Sequence, residues 1–179
     1  MKALDILGGG LGFGTSPDFS QPRERWGINK LMFLRYSGEF AHWTRWFDLH
    51  STAHIQRQRP DAYAWYREQV KPIVRWEPDP QMVTQVYPRE AVQQFFAQDG
   101  EPERDFWGSF SWMMALAIYE GFDQIDVYWM PLDQEHHQAQ LGSARYWIGQ
   151  ARGRGIRVTV HGDSAMKSTS RLYGIETTY

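Results

Sequence analysis

Short runs dominated by apolar side chains recur along the chain and end at or near polar residues, glycine or proline. Five such runs lie at residues 3–7, 25–28, 73–76, 125–129 and 156–160. Runs of four or five residues bounded by turn residues are typical of strands buried in a parallel sheet. A sixth segment, residues 43–49, alternates between apolar and polar side chains and predicts a strand that ends near His50.

Between these strands the apolar residues take the spacing of a helix. The helical segments are residues 61–70, which Pro72 follows, Pro88 to Gly100, Ser109 or Ser111 (as N-cap) to Gly121, and 144–151. Alternating strands and helices are typical of crossover units that build a parallel sheet. The sequence therefore predicts an α/β protein with a Rossmann-like, doubly wound, mostly parallel sheet and helices on both faces. We expect one nucleotide-binding domain over residues 1–179.

Composition narrows the classes of function. The 179 residues include 19 Lys and Arg and 21 Asp and Glu, so the net charge is −2 and generic nucleic-acid binding is not expected. The absence of cysteine excludes disulfides and thiolate metal sites. The sequence has no signal-peptide pattern and no apolar run of roughly 18 residues, so we expect a cytoplasmic protein with no membrane partner.

A glycine-rich segment directly follows the first predicted strand and includes Gly8, Gly9 and Gly10. Glycine can adopt a positive φ and lets backbone amides approach an anion without an intervening Cβ. The segment lacks the Gly-Lys-Ser/Thr ending of a phosphate loop and a clean dinucleotide fingerprint. Two interpretations stay open: a loop that contacts a ligand, or a plain tight turn.

Ligands of open parallel sheets bind beyond the carboxyl ends of the strands, which share one edge. Glycines, an amide, a carboxylate and a hydroxyl follow the predicted strands, and a helix N-terminus belongs near the same edge. The candidate nucleotide-binding residues are Gly8, Gly9, Gly10, Asn29, Asp48, Ser109 and Ser164.

Histidine supplies the candidate acid–base chemistry. Asp133, His136 and His137 follow one of the predicted strands. Because histidine titrates near neutral pH, His136 or His137 could act as a general base, with Asp133 as a third catalytic candidate. Exposed histidines without a role are the competing interpretation. A metal ion held by these loops together with His50 and His54 would match no known ligand spacing, and no such metal site is predicted.

Several segments match, in the same order, the pattern of a known family. They are the opening strand with its glycines, Asn29 after the second strand, and Ser109 to Phe122 running into Ile125-Asp126-Val127. In these segments the chain resembles bacterial sialyltransferases of glycosyltransferase family 42 and the related Rossmann-like family of hydroxymethylpterin pyrophosphokinase-like proteins (domain of unknown function 115). Small proteins of tailed phages are similar in further segments, among them Trp26-Gly27-Ile28-Asn29.

The resemblance implies a nucleotide or nucleotide-sugar ligand and a glycosyltransferase-like activity. It implies that Gly8 to Gly10 and Asn29 lie near the nucleoside and phosphates, that Ser109 opens a helix at the pocket, and that the general base lies near His136 or His137. For a phage-encoded protein, the location would be the host cytoplasm.

The sequence departs from the family pattern at two places. Phe110 stands where the family has glycine, and residues 129–133 replace a Gly-Ile-Asp turn. These departures leave open a non-catalytic phage factor that sequesters a nucleotide or binds a host protein. A second alternative is a pyrophosphokinase-like phosphotransferase, which would need Mg²⁺ on Asp48 and Asp133. A homo-oligomer is also left open.

Overall fold

One parallel sheet organises the molecule. The computed structural model describes residues 1–9, 15–29, 42–130, 132 and 138–167. In chain order the elements within these ranges are β1 (Ala3–Leu7), β2 (Glu24–Ile28), β3 (Arg45–Phe47), α1 (Thr52–Gln58), α2 (Pro60–Arg67), β4 (Ile73–Arg75), β5 (Thr84–Val86), α3 (Arg89–Phe95), α4 (Ser109–Tyr119), β6 (Gln124–Tyr128), α5 (Gln138–Gly153) and β7 (Arg157–Val160). The strand order is β5-β4-β3-β2-β1-β6-β7, and every neighbouring pair is parallel. The predicted Rossmann-like α/β fold is confirmed.

Helices cover both faces of the sheet, as predicted. On one face, Leu4 and Ile6 of β1 pack in a core formed with α3, α4 and α5. The helix α4 is the centre of that core, because nine of its eleven residues are buried. On the other face, Trp46 of β3 packs with Ile55 of α1 and Tyr66 of α2. The strands β1, β2, β4 and β6 are therefore shielded from water on two sides, which explains why they appear as apolar runs in the sequence, whereas β7 is exposed on one face.

The direction in which strands are added reverses at β1. The chain places β2 to β5 in succession on one side of β1 and then returns to the other side for β6 and β7. The connections on the two sides run over opposite faces, with α1 and α2 on one face and α5 on the other. Such a reversal leaves a crevice between the chain segments that follow the two central strands. We call the place where the segments after β1 and β6 meet, at Gly8, Gly9, Trp129 and Met130, the switch-point crevice.

Five of the six predicted strands agree with the observed ones to within one residue, while the strand predicted at 43–49 is only three residues long. Two further elements, α1 and β5, were not predicted. In α1 only Ile55 is buried, and β5 is a three-residue edge strand with no buried residue. Elements this short and this exposed produce no apolar periodicity.

The helix predicted to reach Gly100 ends earlier, with α3. Asp99 and Gly100 have φ values of 52° and 83°, and the flanking Gln98 and Glu101 exchange two backbone hydrogen bonds of 3.0 and 2.9 Å. A pair of positive φ values forms a tight turn and cannot continue a helix. The Asp-Gly pair was the signal for this turn.

The N-cap predicted at Ser109 or Ser111 is also wrong, because Gly108 is the N-cap of α4 and Ser109 is its first residue. Gly108 has a φ of 101°, a conformation that L side chains rarely adopt. A Cβ at this position would also lie 2.8 Å from the side-chain oxygen of Gln140 in α5. The positive φ therefore favours glycine over a serine cap, because the Gln140 side chain could move aside.

Candidate functional site

The carboxyl end of β1 lies very close to the backbone that follows β6. The amide of Gly8 donates a hydrogen bond of 2.9 Å to the carbonyl of Tyr128. A Cβ at Gly8 would lie 2.4 Å from the carbonyl oxygen of Trp129, well inside the 3.4 Å at which ordinary contacts begin. Glycine is thus required at Gly8 by a close approach of two backbones at the switch-point crevice. The neighbouring Gly9 is half-buried.

Backbone strain is concentrated at the same edge. Four non-glycine residues of the described chain have positive φ, and three of them follow central strands: Asn29 (56°) after β2, and Trp129 (55°) and Leu132 (48°) after β6. The fourth, Asp99, lies in the exposed turn after α3. Such conformations cost about 1–3 kcal/mol each and tend to cluster at functional sites. The strain therefore marks the switch-point crevice.

Asn29 presents a polar side chain beside this crevice. Its amide donates to the carbonyl of Phe47 at 2.9 Å, and its own carbonyl accepts from the indole of Trp46 at 3.0 Å. Its side-chain oxygen Oδ1 is buried and has no hydrogen-bond partner among the described residues. An unpaired buried oxygen costs about 1–3 kcal/mol, so a ligand that donates to it would gain that energy. The backbone bonds fix this group at the end of β2, next to β1.

Asp48 follows β3 and is fully buried. Its Oδ1 accepts from the His50 amide at 3.3 Å and from Arg59 at 3.1 Å and lies 2.7 Å from His50 Nδ1, while Oδ2 accepts from the Tyr66 hydroxyl at 2.8 Å. Burial opposes ionisation, but these bonds and the Arg59 charge hold the pKa of Asp48 below its ordinary value. Both oxygens are engaged by the protein, so Asp48 orders the segment after β3 and is poorly placed to hold Mg²⁺.

The contact with Asp48 also fixes the proton of His50. An ionised carboxylate only accepts hydrogen bonds, so His50 donates Nδ1–H and leaves Nε2 free. Arg59 lies 2.8 Å from the same Nδ1, but a protonated nitrogen cannot accept, so the Arg59 hydrogen bond goes to Asp48. The His50 side chain is 40% exposed and its ring stacks on that of His54. Among the described residues, no three metal-ligating side chains converge here or elsewhere.

The two candidate serines differ in their surroundings. Ser164 is buried, and its hydroxyl donates to the carbonyl of Met130 at 2.6 Å, joining the segments that follow β7 and β6. Ser109 is half-buried at the start of α4. Tyr87, directly after β5, donates to the carbonyl of Trp112 at 2.7 Å, which places the first half of α4 at the carboxyl edge of the sheet. Direct contact of either serine with a nucleotide stays a prediction.

The parallel sheet brings most candidates to one edge. These are Gly8, Gly9, Asn29, Asp48, Ser109 and Ser164. Four others, Gly10, Asp133, His136 and His137, lie outside the described residues. Their roles in phosphate binding and proton transfer stay predictions.

Sequence reasoning missed a buried ionic cluster between β1, β2 and β6. Asp5 and Asp126 are side by side in neighbouring strands. Arg23 joins them, with Nε 3.1 Å from Asp5 and Nη2 2.6 Å from Asp126, and Arg25 Nε lies 3.3 Å from the second oxygen of Asp5. The sequence feature that could have predicted this cluster was an aspartate between two apolar residues in each of two buried strands. A carboxylate at such a position requires a charged partner.

His161 extends this cluster to the carboxyl edge. It directly follows β7, and its Nε2 lies 3.0 Å from Asp126 Oδ1. Its ring stacks on Tyr128 with centroids 4.1 Å apart and planes 2° from parallel. Its amide also donates to the carbonyl of Val127 at 2.8 Å. Ring and backbone are therefore held in place next to the strand whose end bounds the switch-point crevice.

The pKa values of the two aspartates in this cluster shift in opposite directions. Burial opposes ionisation of Asp126, yet hydrogen bonds from His161, Arg23 and Gln124 hold its pKa below the ordinary value. For Asp5, burial is the stronger effect, and its pKa is raised despite its arginine partners. Asp126 is thus the ionised carboxylate next to His161.

The comparisons with known proteins support the fold. No family model matches the sequence, and no curated protein matches it. Among solved structures, the chain is similar to the sialyltransferase CstII from Campylobacter jejuni in complex with a substrate analogue, cytidine-5'-monophosphate. The TM-score is 0.52 at 12% identity, over 90% of this chain and 80% of that one. Among the described helices, none combines the length and apolar composition that crossing a bilayer requires. The chain therefore shares a Rossmann-like fold with that solved structure.

Proposed function

We propose that this protein binds a nucleotide or nucleotide sugar at the switch-point crevice and is a glycosyltransferase-like enzyme. The observation that carries the proposal is the reversal of strand order at β1, where Gly8 abuts the backbone of Trp129. Ligands of open parallel sheets bind at such reversals. The solved structure with a similar fold holds cytidine-5'-monophosphate.

The crevice suggests an orientation for the ligand. The phosphates would lie over Gly8 and Gly9, where no side chain separates an anion from the backbone. The amide of Gly8 already donates to Tyr128, so the amide of Gly9 would be the one that meets the anion. The nucleoside would extend over β2, towards the unpaired side-chain oxygen of Asn29. The transferred sugar would then lie on the other side of β1, over β6 and β7. The family resemblance implies His136 or His137 as the proton acceptor, and the histidine that follows β7 is the alternative that the described residues offer.

Calorimetric titration tests the binding step. The probes are the cytidine, uridine, guanosine and adenosine nucleotides, CMP-sialic acid and UDP-glucose. The variant is Asn29→Gly, which removes the carboxamide at a φ of 56° that glycine adopts readily. Asp99→Gly is its matched control, because Asp99 has a φ of 52° but lies in the exposed turn after α3. We expect Asn29→Gly to weaken the binding of the best probe about tenfold, the loss of one hydrogen bond to a buried group.

The control separates ligand contact from backbone relief. Both substitutions relieve a positive φ, so both should leave the fold intact or stabilise it slightly. If none of the probes releases or absorbs heat on mixing, the proposed function is wrong. If Asn29→Gly and Asp99→Gly bind the best probe equally well, Asn29 does not contact the ligand.

A non-catalytic binding protein is the second candidate. The observation that favours it is a pair of exposed aromatic rings on α3 and α4: Phe95 is 53% exposed, Tyr119 is 40% exposed, and their centroids are 5.4 Å apart. Exposed aromatic patches are typical of protein interaction sites. A protein that binds a nucleotide but turns over none of the nucleotide sugars would favour this candidate over the transferase.

A further inference from the structure

We propose that His161 is a general base of this site and that its Nδ1 accepts the proton of the hydroxyl that attacks the transferred sugar. The proposal rests on the proposed function and adds the residue that moves the proton. Asp126 is the positioning residue behind it. Three observations support this role: the fixed tautomer of His161, the direction of its free nitrogen, and its place relative to the switch-point crevice.

The tautomer follows from the bonds around Asp126. Its Oδ1 faces His161 Nε2 at 3.0 Å, and its Oδ2 accepts from Arg23 at 2.6 Å and from Gln124 at 2.7 Å. A carboxylate with these donors is ionised and can only accept, so Nε2 carries the proton. In the neutral ring the other nitrogen, Nδ1, then has a free lone pair. No described residue bonds to it.

The direction of Nδ1 follows from the shape of the imidazole ring. Its two nitrogens point in roughly opposite directions. Asp126 precedes Tyr128 in β6 and so lies deeper along the strand, away from the carboxyl edge. With Nε2 directed back towards Asp126, Nδ1 faces the carboxyl edge of the sheet. The side chain of His161 is 26% exposed, so part of the ring is open to solvent.

The position of His161 suits the sugar rather than the nucleoside. It follows β7, which is separated from β1 by β6, so it lies about two strand spacings, roughly 10 Å, from Gly8. A ligand with its phosphates over Gly8 and its nucleoside over Asn29 would direct its sugar to this side. The other histidine held by a carboxylate, His50, follows β3 on the nucleoside side.

The proposed step balances without any further reactant. The acceptor oxygen forms a bond to the anomeric carbon, and the bond from that carbon to the phosphate oxygen breaks with its electron pair leaving on the phosphate. The hydroxyl proton moves to His161 Nδ1. The resulting imidazolium is stabilised by Asp126, and it later loses the proton to solvent. Ionisable groups of the surrounding segments include Asp5, Arg23, Glu24, Arg25, Tyr128, Arg157 and Asp163, and burial raises the pKa of Tyr128 to about 12.

A measurement of tautomers tests the geometry without turnover. In a two-bond ¹⁵N–¹H spectrum of labelled protein, we expect His161 as the Nε2–H tautomer and His50 as the Nδ1–H tautomer. On addition of CMP or the nucleotide that binds best by calorimetry, the ring signals of His161 should shift more than those of His54, which has no carboxylate partner among the described residues. An Nδ1–H tautomer at His161 would overturn the proposal, because no lone pair would face the crevice.

A kinetic comparison tests the chemistry. The substrates are CMP-sialic acid and UDP-glucose, with transfer to water or to lactose as the measured reaction. We expect His161→Phe, which keeps a ring against Tyr128, and His161→Asn to lower kcat about 10²- to 10⁴-fold with the nucleotide Kd changed less than about threefold. The matched control is His54→Asn, which should keep the parent kcat. Asp126→Asn should lower kcat less and change the tautomer of His161.

The outcomes separate the two proposals. If no nucleotide binds, the proposed function fails. If a nucleotide binds but the parent turns over neither substrate, or if His161→Phe keeps the parent kcat, then His161 is not the base. If His161→Phe keeps the parent kcat, loss of turnover in a His136→Ala, His137→Ala variant would assign the proton transfer to the segment of those two histidines instead.

Discussion

Gly8→Ala should destabilise the protein because the new methyl group would have no space at the switch-point crevice. Its Cβ would be 2.4 Å from Trp129 O, so one of the two backbones would have to move about 1 Å to reach the 3.4 Å of an ordinary contact. The atoms that the methyl group meets belong to the backbone, and Trp129 already has a strained φ of 55°. Moving either backbone segment would therefore be energetically costly.

The expected magnitude has two parts. Forcing a methyl group into a packed site costs about 1–3 kcal/mol. A movement of 1 Å would also break the 2.9 Å hydrogen bond from Gly8 to Tyr128, which contributes about 1 kcal/mol. We therefore expect a loss of about 2–4 kcal/mol in the free energy of unfolding, or a fall in Tm of roughly 5–15 °C for a chain of this size.

Urea denaturation followed by tryptophan fluorescence measures this loss. The matched control is Gly149→Ala in α5, where a Cβ would have no neighbour within 4 Å. Alanine has the higher helix propensity, so this control should gain about 0.5–1 kcal/mol. If Gly8→Ala were as stable as the parent, the close approach of the two backbones would not be rigid and the requirement for glycine would be refuted.

Three further substitutions test other parts of the structure. Asp48→Asn should lower the free energy of unfolding by about 3 kcal/mol at neutral pH. Folding lowers the pKa of Asp48, so this difference in stability from the parent should be present above the ordinary carboxyl pKa of about 4 and should shrink as the pH falls below it. Urea denaturation at several pH values measures it. Gly27→Ala should lower Tm, because its Cβ would lie 2.3 Å from the buried Trp46 ring; a parent-like Tm would mean that the indole has room to move. Ser143→Ala should lower the free energy of unfolding by about 1–3 kcal/mol, as measured by chemical denaturation. The serine hydroxyl donates to the carbonyl of Asp105 at 3.0 Å and accepts a hydrogen bond from the Trp107 amide at 3.1 Å. A smaller loss would mean that water replaces the hydroxyl.

The architecture was predictable because most of its strands are buried on both faces and therefore largely apolar, while β7, which is buried on one face, alternates between apolar and polar residues. That pattern identified β1, β2, β4, β6 and β7 and, with the helices between them, the parallel sheet. The same reasoning failed for β5, because an exposed edge strand of three residues has no apolar run. Ser51, whose hydroxyl accepts the amide of His54, was the one local signal for α1.

The candidate site was predictable in its position but not in its contacts. Gly8 and Asn29 could be placed at the carboxyl edge from the order of the elements alone. The roles of the other candidate residues depend on contacts in three dimensions. Both oxygens of Asp48 are engaged by His50, Arg59 and Tyr66, which lie up to eighteen positions later in the sequence. His161 could not be paired with Asp126 from the sequence, because 35 positions and one helix separate the two residues.

The central place of α4 has a consequence for how the protein is made. During synthesis, β1 to β5 emerge from the ribosome before the helix that covers Leu4 and Ile6 exists, and before β6 can pair with β1. The first half of the nascent chain therefore exposes an apolar sheet face that only the second half can bury. Productive folding must wait until α4 and β6 have been synthesised, and chains released before that point would be clients for chaperones or proteases.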